Sequence, residues 1–379
     1  MSEINQTVPS GTGPLRRRRK IAARVLIGAA ALAALSINGG GTPQSNAAPA
    51  TGGAAVNKTH APTGLIVFMR PGTIGEYDLW AVRPDGTGLR RLTESPADRS
   101  DYNPSWSPDG SVVLFERRKL DESKPGSDEA LYEVDAQGRG FRQITHCRGR
   151  CWGDGEADWS ANGKRIVFGR ATGPRPAPGP SLIAIYVVNA DGSHVRRIST
   201  PPHGYEDHYP TFSPDGRTVV FQRDTSTVVP GQTKLIAVDV VTRRERLAYR
   251  IPKWAPGSGT ATFSPNGKQI LFGYWCIYGD SCPPSTRADR NATLATIHAD
   301  GTALHRLHLR TGADSGEWSP DGKQIVFRCR SAKPSAPPPP GLPPLAGLFR
   351  ICSSKLDGTG FRRFPWPVSS AEPDWGTHQ

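Results

Sequence analysis

Short runs of apolar and β-branched residues alternate with clusters of glycine, proline, asparagine and aspartate from residue 64 onward. In one stretch the runs are Tyr102–Ser107, Val112–Glu116, Leu131–Val134 and Phe141–Thr145. Runs of about five residues bounded by turn residues are typical of β-strands. The pattern therefore predicts units of four antiparallel strands, with no helix of useful length and no second domain.

One of the turns recurs with an aromatic residue before it. The copies are Trp106-Ser-Pro-Asp-Gly110, Trp159-Ser-Ala-Asn-Gly163, Phe212-Ser-Pro-Asp-Gly216, Phe263-Ser-Pro-Asn-Gly267, Trp318-Ser-Pro-Asp-Gly322 and a clipped Asp374-Trp375-Gly376, with aromatic spacings of 53, 53, 51, 55 and 57 residues. Proline suits the second position of a type I turn, and glycine suits the left-handed residue that closes it. A repeat of this period, with four strands per copy, indicates the blades of a β-propeller.

The order of strands predicts how the ring closes. Six first strands end at the six aromatic residues, and six second strands run from Leu65–Met69 to Gln324–Phe327. The chain therefore enters at the second strand of a blade and leaves at a first strand. We expect an all-β, six-bladed β-propeller closed by pairing of the C-terminal strand, around Glu372–Trp375, with the N-terminal blade that begins at Gly64.

The first 50 residues have the pattern of an export signal. Arg16-Arg-Arg-Arg-Lys20 precedes the 13-residue apolar run Val25–Ile37, and small residues follow over Ser45–Ala50. This pattern predicts a signal peptide over residues 1–50, and an uncleaved anchor is the alternative. Residues 51–63 are predicted to be a disordered spacer and residues 64–379 the propeller. The protein is thus expected to be extracellular or periplasmic, with membrane contact only through an uncleaved leader.

The net charge is +13 for the whole chain, and removal of residues 1–50 leaves 41 basic against 33 acidic residues. An exported protein is not expected to meet nucleic acid, so anionic envelope polymers fit this charge better. Much of the excess lies on predicted fourth strands, for example Arg90-Arg91, Arg196-Arg197 and Arg362-Arg363. Positive charge on an exposed edge strand opposes edge-to-edge pairing, so we expect a monomer.

The six cysteines fall as close pairs, which are Cys147 with Cys151, Cys276 with Cys282, and Cys329 with Cys352. In an oxidising compartment this spacing predicts three local disulfides, although spacing alone leaves other pairings open. Cys147-Arg-Gly-Arg-Cys151 could instead bind a metal, but no second pair with zinc spacing accompanies it.

The segments Pro104-Ser-Trp-Ser-Pro-Asp-Gly-Ser-Val-Val-Leu-Phe115, Leu79-Trp-Ala-Val-Arg-Pro-Asp-Gly86 and Leu89-Arg-Arg-Leu-Thr93 together resemble the TolB-type (PD40, WD40-like) propeller repeat. The resemblance extends from Gly64 to Gly376 and implies a propeller that serves as a binding platform. TolB-type proteins of the periplasm carry an α/β domain before the propeller, whereas only Thr51–Thr63 separates leader and first strand here. Similar propellers occur in prolyl-oligopeptidase-type enzymes and in oligogalacturonate lyases, which use a metal and loop histidines.

The connections between strands alternate between two faces of the predicted ring. The turns of the Ser-Pro-Asp-Gly and Asp-Gly types lie on one face, which we call the short-turn face. Long and dissimilar loops, such as Lys119–Glu129 and Thr172–Pro180, lie on the other, the long-loop face, where function concentrates on rigid scaffolds. Candidate ligand-binding residues at the channel mouth on this face are Asp101, Tyr102, Trp152, Asp154, Glu156, His203, Tyr205, Glu206, Asp207, His208, Asp314 and Glu372.

The sequence is consistent with three functions. The one we favour is an exported non-catalytic scaffold that binds a protein, a peptide or an envelope glycan and needs no cofactor. A purely structural envelope protein is distinguished from it only by finding or failing to find a partner. The sequence contains no Gly-x-Ser-x-Gly nucleophile motif. The alternative is a lyase or hydrolase that depends on a divalent metal ion, with His203 and His208 as ligands and Glu206 or Asp207 as the base.

Overall fold

The computed structural model describes residues 64–72, 76–120, 129–173, 182–225, 233–252, 257–275, 293–330, 349–368 and 373–376. The predicted leader, the predicted spacer and Glu372 lie outside these residues, as do Cys276 and Cys282. The described residues form six antiparallel sheets of four strands each. No helix in this part of the chain is long and apolar enough to span a membrane.

The strands follow the chain in blades of four. They are β1 (Ile66–Pro71), β2 (Tyr77–Val82), β3 (Arg90–Arg91), β4 (Arg99–Trp106), β5 (Val112–Lys119), β6 (Ala130–Asp135), β7 (Arg142–Gln143), β8 (Cys151–Trp159), β9 (Arg165–Thr172), β10 (Leu182–Asn189), β11 (Arg196–Arg197) and β12 (Tyr205–Phe212). They continue as β13 (Thr218–Thr225), β14 (Lys234–Asp239), β15 (Glu245–Arg250), β16 (Gly257–Phe263), β17 (Gln269–Trp275), β18 (Thr293–His298), β19 (His305–Arg306), β20 (Ala313–Trp318), β21 (Gln324–Arg330), β22 (Phe349–Lys355), β23 (Arg362–Val368) and β24 (Asp374–Trp375). Blade 1 is β24-β1-β2-β3, blade 2 is β4 to β7, and the others follow in order to blade 6, β20 to β23. The predicted six-bladed propeller is confirmed.

The core lies between adjacent blades. Each second strand carries a phenylalanine at the same position, and all six, Phe68, Phe115, Phe168, Phe221, Phe272 and Phe327, are fully buried. Phe115 of blade 2 belongs to one apolar cluster with Leu79 of blade 1, and Phe221 of blade 4 to another with Ile185 of blade 3. Full burial of such a side chain contributes about 1.5–3 kcal/mol. Each blade is therefore held mainly by its two neighbours.

The recurrent turn forms through the residue types that the sequence supplies. In the first copy the Gly110 amide donates to the Ser107 carbonyl at 2.8 Å, and the Ser107 hydroxyl donates to Asp109 at 2.6 Å. Gly110 has a φ of 68°, the left-handed region that favours glycine. The turn thus ends the first strand at the aromatic residue and starts the second strand.

Four of the six fourth strands, β3, β7, β11 and β19, span only two residues, whereas β15 and β23 span six and seven. In blade 2 the strand is shorter than the sequence pattern predicts. Instead of Phe141–Thr145, only Arg142–Gln143 pairs with β6. The chain turns away because the amides of Ile144 and Thr145 both donate to the Leu131 carbonyl. The arginines of these strands also have structural partners. Arg142, Arg246 and Arg362 donate to turn carbonyls of the next blade, at Ala190, Ala299 and Asp85.

The two ends of the propeller meet in blade 1. Strand β24 pairs antiparallel with β1, with Trp375 opposite Ile66 and Asp374 opposite Val67. The Gly376 amide donates to the Leu65 carbonyl at 3.0 Å. A Cβ atom on Gly376 would lie 2.5 Å from the Trp106 ring, so glycine is required where the chain passes this side chain.

Candidate binding site at the channel and its mouth

A narrow channel lies where the first strands of all six blades come together. The cavity has a volume of about 80 Å³. In every blade the residue immediately before the aromatic position lines it: Ser105, Asp158, Thr211, Thr262, Glu317 and Asp374. Alternation along a strand explains this, since the aromatic ring faces the core between blades and its neighbour faces the opposite way. A cavity of this size holds a few water molecules and is well below the roughly 300 Å³ of ordinary ligand pockets.

Five first strands place a second residue at the channel through a β-bulge, namely Asn103, Glu156, Tyr209, Thr260 and Ser315. Asn103, Glu156, Tyr209 and Ser315 have φ values of 51°, 53°, 51° and 47°. They occupy equivalent positions, and the strand register shifts at each of them. Left-handed backbone is unfavourable for residues other than glycine. Such strained residues, and β-bulges, are found more often next to binding and catalytic sites than elsewhere. The same bulge in five blades therefore marks the channel entrance as a specialised region.

Three channel carboxylates bind backbone amides. Asp374 accepts from the Trp106 amide of blade 2 at 2.5 Å. Asp158 of blade 3 accepts from the Phe212 amide of blade 4 at 3.0 Å. Glu317 accepts from the amide of Trp318 at 2.8 Å. Two of these bonds join one blade to the next, so the acidic side chains are part of the structural framework of the channel.

Burial and mutual repulsion make these carboxylates weak acids. Burial raises the pKa of Asp158 to about 7, and the charge of Asp374 adds to the effect. Burial also raises the pKa of Asp374 to about 6. The pKa of Glu317 is raised well above its usual range by burial, by Asp374 and by Asp158. The three groups therefore retain protons at a pH where exposed carboxyls are ionised.

All four predicted aspartates of the mouth are neutralised by arginines of the adjacent second strand. The pairs are Asp101–Arg117, Asp154–Arg170, Asp207–Arg223 and Asp314–Arg328, with N–O distances of 2.5 to 2.9 Å over two bonds each. All four aspartates are buried. Bidentate pairs of this kind fix both side chains in orientation. These aspartates thus brace the strand ends.

His208 connects two carboxylates at the boundary of blades 3 and 4. Its Nδ1 lies 3.3 Å from Glu156 and its Nε2 lies 3.5 Å from Glu206. Burial alone would lower the pKa of His208, but the two carboxylates outweigh it and raise the pKa to about 10. The imidazole is therefore held as a cation, and a cationic imidazole has no lone pair for a metal ion.

The remaining predicted residues lie around this framework. His203 is exposed, whereas Tyr102, Trp152 and Tyr205 are half-buried. The Trp152 indole donates to the Gly173 carbonyl at 3.1 Å, and the Lys234 ammonium lies 4.9 Å from the Tyr205 ring centre.

The described cysteines form two of the three predicted disulfides, Cys147–Cys151 and Cys329–Cys352. The third pairing, of Cys276 with Cys282, lies outside the described residues and stays a prediction.

A metal site at the first cysteine pair is not formed. Among the described residues, the group of histidine, cysteine or acidic side chains close enough to share an ion is Cys147, Cys151 and Asp154. Its two sulfurs are bonded to each other. A disulfide sulfur is not the thiolate that metal ions bind, so the pair serves as a covalent link.

The channel carboxylates Asp158, Glu317 and Asp374 were not among the site residues predicted from the sequence. A signal for them exists, because the residue before the aromatic position is polar in all six repeats. An alternating strand with a buried aromatic residue requires its neighbour to face away from the core, and in a closed ring that direction is the channel.

Comparison with known proteins identifies the family. The family model described as TolB beta propeller domain (PD40) matches residues 41–257, which is more than half of the chain. The chain belongs to the PD40 family. This membership agrees with the repeat pattern and with the six sheets of the structure.

Individual relatives of this PD40 protein match over shorter stretches or at low identity. The Tol-Pal system protein TolB of Nitratidesulfovibrio vulgaris is 38% identical over 50 residues, which is 13% of this chain and 11% of the relative. The crystal structure of TolB from Acinetobacter baumannii has a TM-score of 0.58 at 17% identity, covering 83% of this chain and 67% of that one. A structure assigned as TolB from Agrobacterium tumefaciens has a TM-score of 0.53 at 16% identity, covering 83% and 98%. At these identities the two structures establish a shared fold.

Proposed function

We propose that this PD40 protein is an exported, non-catalytic scaffold that binds a protein, a peptide or an envelope glycan through the long-loop face around the channel mouth. The curated relative is named as a component of the Tol-Pal system, and a role in a protein assembly is consistent with that name. The disulfides Cys147–Cys151 and Cys329–Cys352 suit an oxidising compartment.

The observation that carries the proposal is that the polar side chains at the mouth form hydrogen bonds and ion pairs with one another. A general base or nucleophile needs a carboxylate or imidazole that is available to the substrate. Here Asp207 is held by Arg223 in two hydrogen bonds and His208 lies between Glu156 and Glu206. Groups fixed in this way present a rigid pattern of charge, which favours recognition over proton transfer.

The size of the channel favours the same function. A cavity of about 80 Å³ cannot enclose a sugar ring or a large side chain. A macromolecular partner would therefore contact the rim and the mouth, where half-buried aromatic side chains such as Trp152 and Tyr205 lie. Aromatic side chains of this kind are enriched at protein interfaces.

The experiment that tests the scaffold role is capture of a partner from the envelope fraction of the protein's own cells, with matched variants on the two faces. His203→Glu changes an exposed histidine on the long-loop face, and His298→Glu changes an exposed histidine beside a short turn. A partner of the long-loop face should be captured less by H203E and equally by H298E. Failure of the folded wild-type protein to retain any partner would contradict the scaffold role, and a loss confined to H298E would contradict the choice of face.

Metal analysis tests the non-catalytic part of the proposal. The purified protein is expected to contain less than stoichiometric divalent metal, because an ion at His208 would have to displace the proton that Glu156 and Glu206 stabilise on the imidazole. Stoichiometric metal that disappears in a His203→Ala/His208→Ala variant would instead support the metal-dependent lyase or hydrolase.

A further inference from the structure

A second cavity, of about 380 Å³, lies at the outer rim of blade 2 on the long-loop face, away from the channel. One wall is aromatic, since the rings of Tyr132 and Phe141 stack with centres 4.9 Å apart. The charged lining is mostly positive, with Arg99, Arg117 and Arg148 against a single carboxylate, Glu129. This cavity has the volume of an ordinary ligand pocket and a charge that favours an anion.

Arg117 is the fixed cation of this cavity. Its Nε and Nη2 donate to Asp101 at 2.6 and 2.8 Å, and its guanidinium carbon lies 4.5 Å from the Phe141 ring centre. The side chain is only 11% exposed. Its third nitrogen, Nη1, makes no hydrogen bond to any residue in the described part of the chain. An oriented guanidinium with one unused donor edge is suited to a carboxylate oxygen.

Blade 4 contains the same aspartate–arginine pair, but there the remaining donor edge of the arginine is bound by a glutamate. Arg223 corresponds to Arg117 and pairs with Asp207 as Arg117 does with Asp101. In blade 4, however, Nη1 of Arg223 donates to Glu245 at 2.8 Å, and Nη2 donates to the other oxygen of Glu245 at 3.1 Å.

The register of the outer strands shows which residue of blade 2 corresponds to Glu245. Ala237 pairs with Arg246 in blade 4, as Glu133 pairs with Arg142 in blade 2. Glu245 and Phe141 are the residues just before these arginines, so they occupy the same position. Blade 4 therefore supplies from its own chain the carboxylate that blade 2 lacks.

We propose that the rim cavity of blade 2 binds the carboxylate of an acidic peptide segment. In this arrangement the carboxylate accepts from Nη1 of Arg117, with Arg148 adding positive charge, and a neighbouring apolar side chain packs on Tyr132 and Phe141. A peptide is favoured because Glu245, a glutamate within a polypeptide, already fills the equivalent position. The inference rests on the proposed function for the expectation of a peptide partner, but the selectivity of the cavity for a carboxylate is measured without that partner.

The test is a calorimetric or NMR titration of the purified protein with three blocked peptides. Acetyl-Phe-Glu-amide offers a side-chain carboxylate, acetyl-Gly-Phe offers a terminal carboxylate, and acetyl-Phe-Gln-amide is the neutral control. A charge-assisted hydrogen bond corresponds to about a tenfold change in affinity. We expect saturable binding of at least one acidic peptide, at least about tenfold tighter than the neutral one, and the better of the two identifies the source of the carboxylate.

Two matched variants assign the binding to this cavity. Phe141→Glu places at blade 2 the carboxylate that blade 4 carries natively, and we expect it to occupy Arg117 and weaken the acidic peptide at least about tenfold. Leu304→Glu adds the same charge at an equally exposed rim position, 46% against 47%, and should leave the affinity unchanged. Arg148→Glu, at an exposed position, provides a second variant that should also weaken binding.

Equal affinity for the glutamate and glutamine peptides, no saturable binding of either acidic peptide, or unchanged binding by F141E would overturn the proposal. These results would leave the scaffold role standing if an envelope partner is still captured, because that experiment depends on His203 and the mouth. Loss of partner capture with retained peptide binding would overturn the scaffold role alone.

Discussion

Asp158 remains neutral in the folded protein at a pH where it is ionised in the unfolded chain. Its pKa is raised from 3.8 to about 7, chiefly by burial. Between these values the folded state holds the extra proton, so the free energy of unfolding falls as the pH rises from about 4 to about 7. At higher pH the fold carries the full electrostatic penalty, on the order of 2 kcal/mol after allowance for contact with the channel.

Asp158→Asn should remove this penalty, because an amide oxygen can still accept from the Phe212 amide. We expect the variant to melt above the wild type at about pH 8 and nearly level with it at about pH 3.5, below the pKa of an unfolded aspartate, as measured by thermal unfolding. Asp215→Asn is the control, since hydrogen bonds from Ser213 and the Arg217 amide lower the pKa of Asp215 and its replacement should destabilise at neutral pH. A D158N effect that does not change with pH would rule out the buried-charge explanation.

His208 titrates in a different pH window, with the same sign. Its pKa is raised from 6.5 to about 10 by Glu156 and Glu206 despite burial. The stabilisation is complete below about pH 6.5 and is lost as the pH rises toward 10. His208→Gln should therefore reduce the melting temperature strongly at about pH 6 and weakly at about pH 10. His203→Gln, on an exposed side chain, is the matched control, and an equal slope for H208Q and the wild type would contradict the ion-pair assignment.

At the residue scale, the sequence identified Glu156 and His208 as candidates but not as partners. They are 52 residues apart, and their contact depends on how blade 3 is placed against blade 4. The Asp101–Arg117 and Asp207–Arg223 pairs were missed for a related reason, since they depend on the register between first and second strands. The residue types in the sequence show which side chains are charged. Which of them form pairs depends on the strand register and on the order of the blades.

At the scale of single elements, one turn differs from the others and its neighbour compensates. Blade 3 has Ala161 where the complete copies have proline. In three interfaces the turn glycine of one blade faces the proline of the preceding blade, as Gly267 faces Pro214. Gly216 instead faces Arg165, whose Nη2 donates to the Gly216 carbonyl at 2.8 Å. The arginine thus fills the space of the missing ring.

A double-mutant cycle tests this compensation. Ala161→Pro should have little effect alone, because the gain of about 0.4–1 kcal/mol from a stiffer unfolded chain is offset by displacement of Arg165. In an Arg165→Gln background the same change should raise the free energy of unfolding by the full amount. Denaturant unfolding of the four proteins gives the coupling energy. Additive effects would mean that the two positions do not share this space.

At the scale of the whole molecule, the repeat made the fold predictable. The loops are irregular in sequence and offer no comparable pattern. Six copies of an aromatic residue before a tight turn determine the number of blades, because each blade buries its core only against its neighbours. The fourth strand of blade 2 was overestimated because the chain leaves the sheet where the amides of Ile144 and Thr145 share one acceptor, the Leu131 carbonyl. The correspondence of Phe141 in blade 2 with Glu245 in blade 4 could not be predicted from the sequence, because it depends on the register of the outer strands.

Closure of the ring is the property that depends on all six blades at once. Strand β24 contributes two residues to blade 1, yet Trp375 is only 4% exposed and Asp374 binds the Trp106 amide of blade 2. Loss of a buried tryptophan costs about 3–5 kcal/mol. Deletion of residues 373–379 removes this strand, whereas deletion of residues 377–379 leaves it in place and serves as the control.

We expect the longer deletion to lower the melting temperature by roughly 5–8 °C, since each kcal/mol corresponds to about 1.5 °C in a domain of roughly 310 residues. Hydrogen exchange should accelerate first in β1 and at the Trp106 amide, because these groups lose their partners in β24. The shorter deletion should melt with the wild type. If both deletions melt together, or if exchange accelerates uniformly over all blades, then β24 does not close the ring and the stability of the propeller must reside in blades 2 to 6.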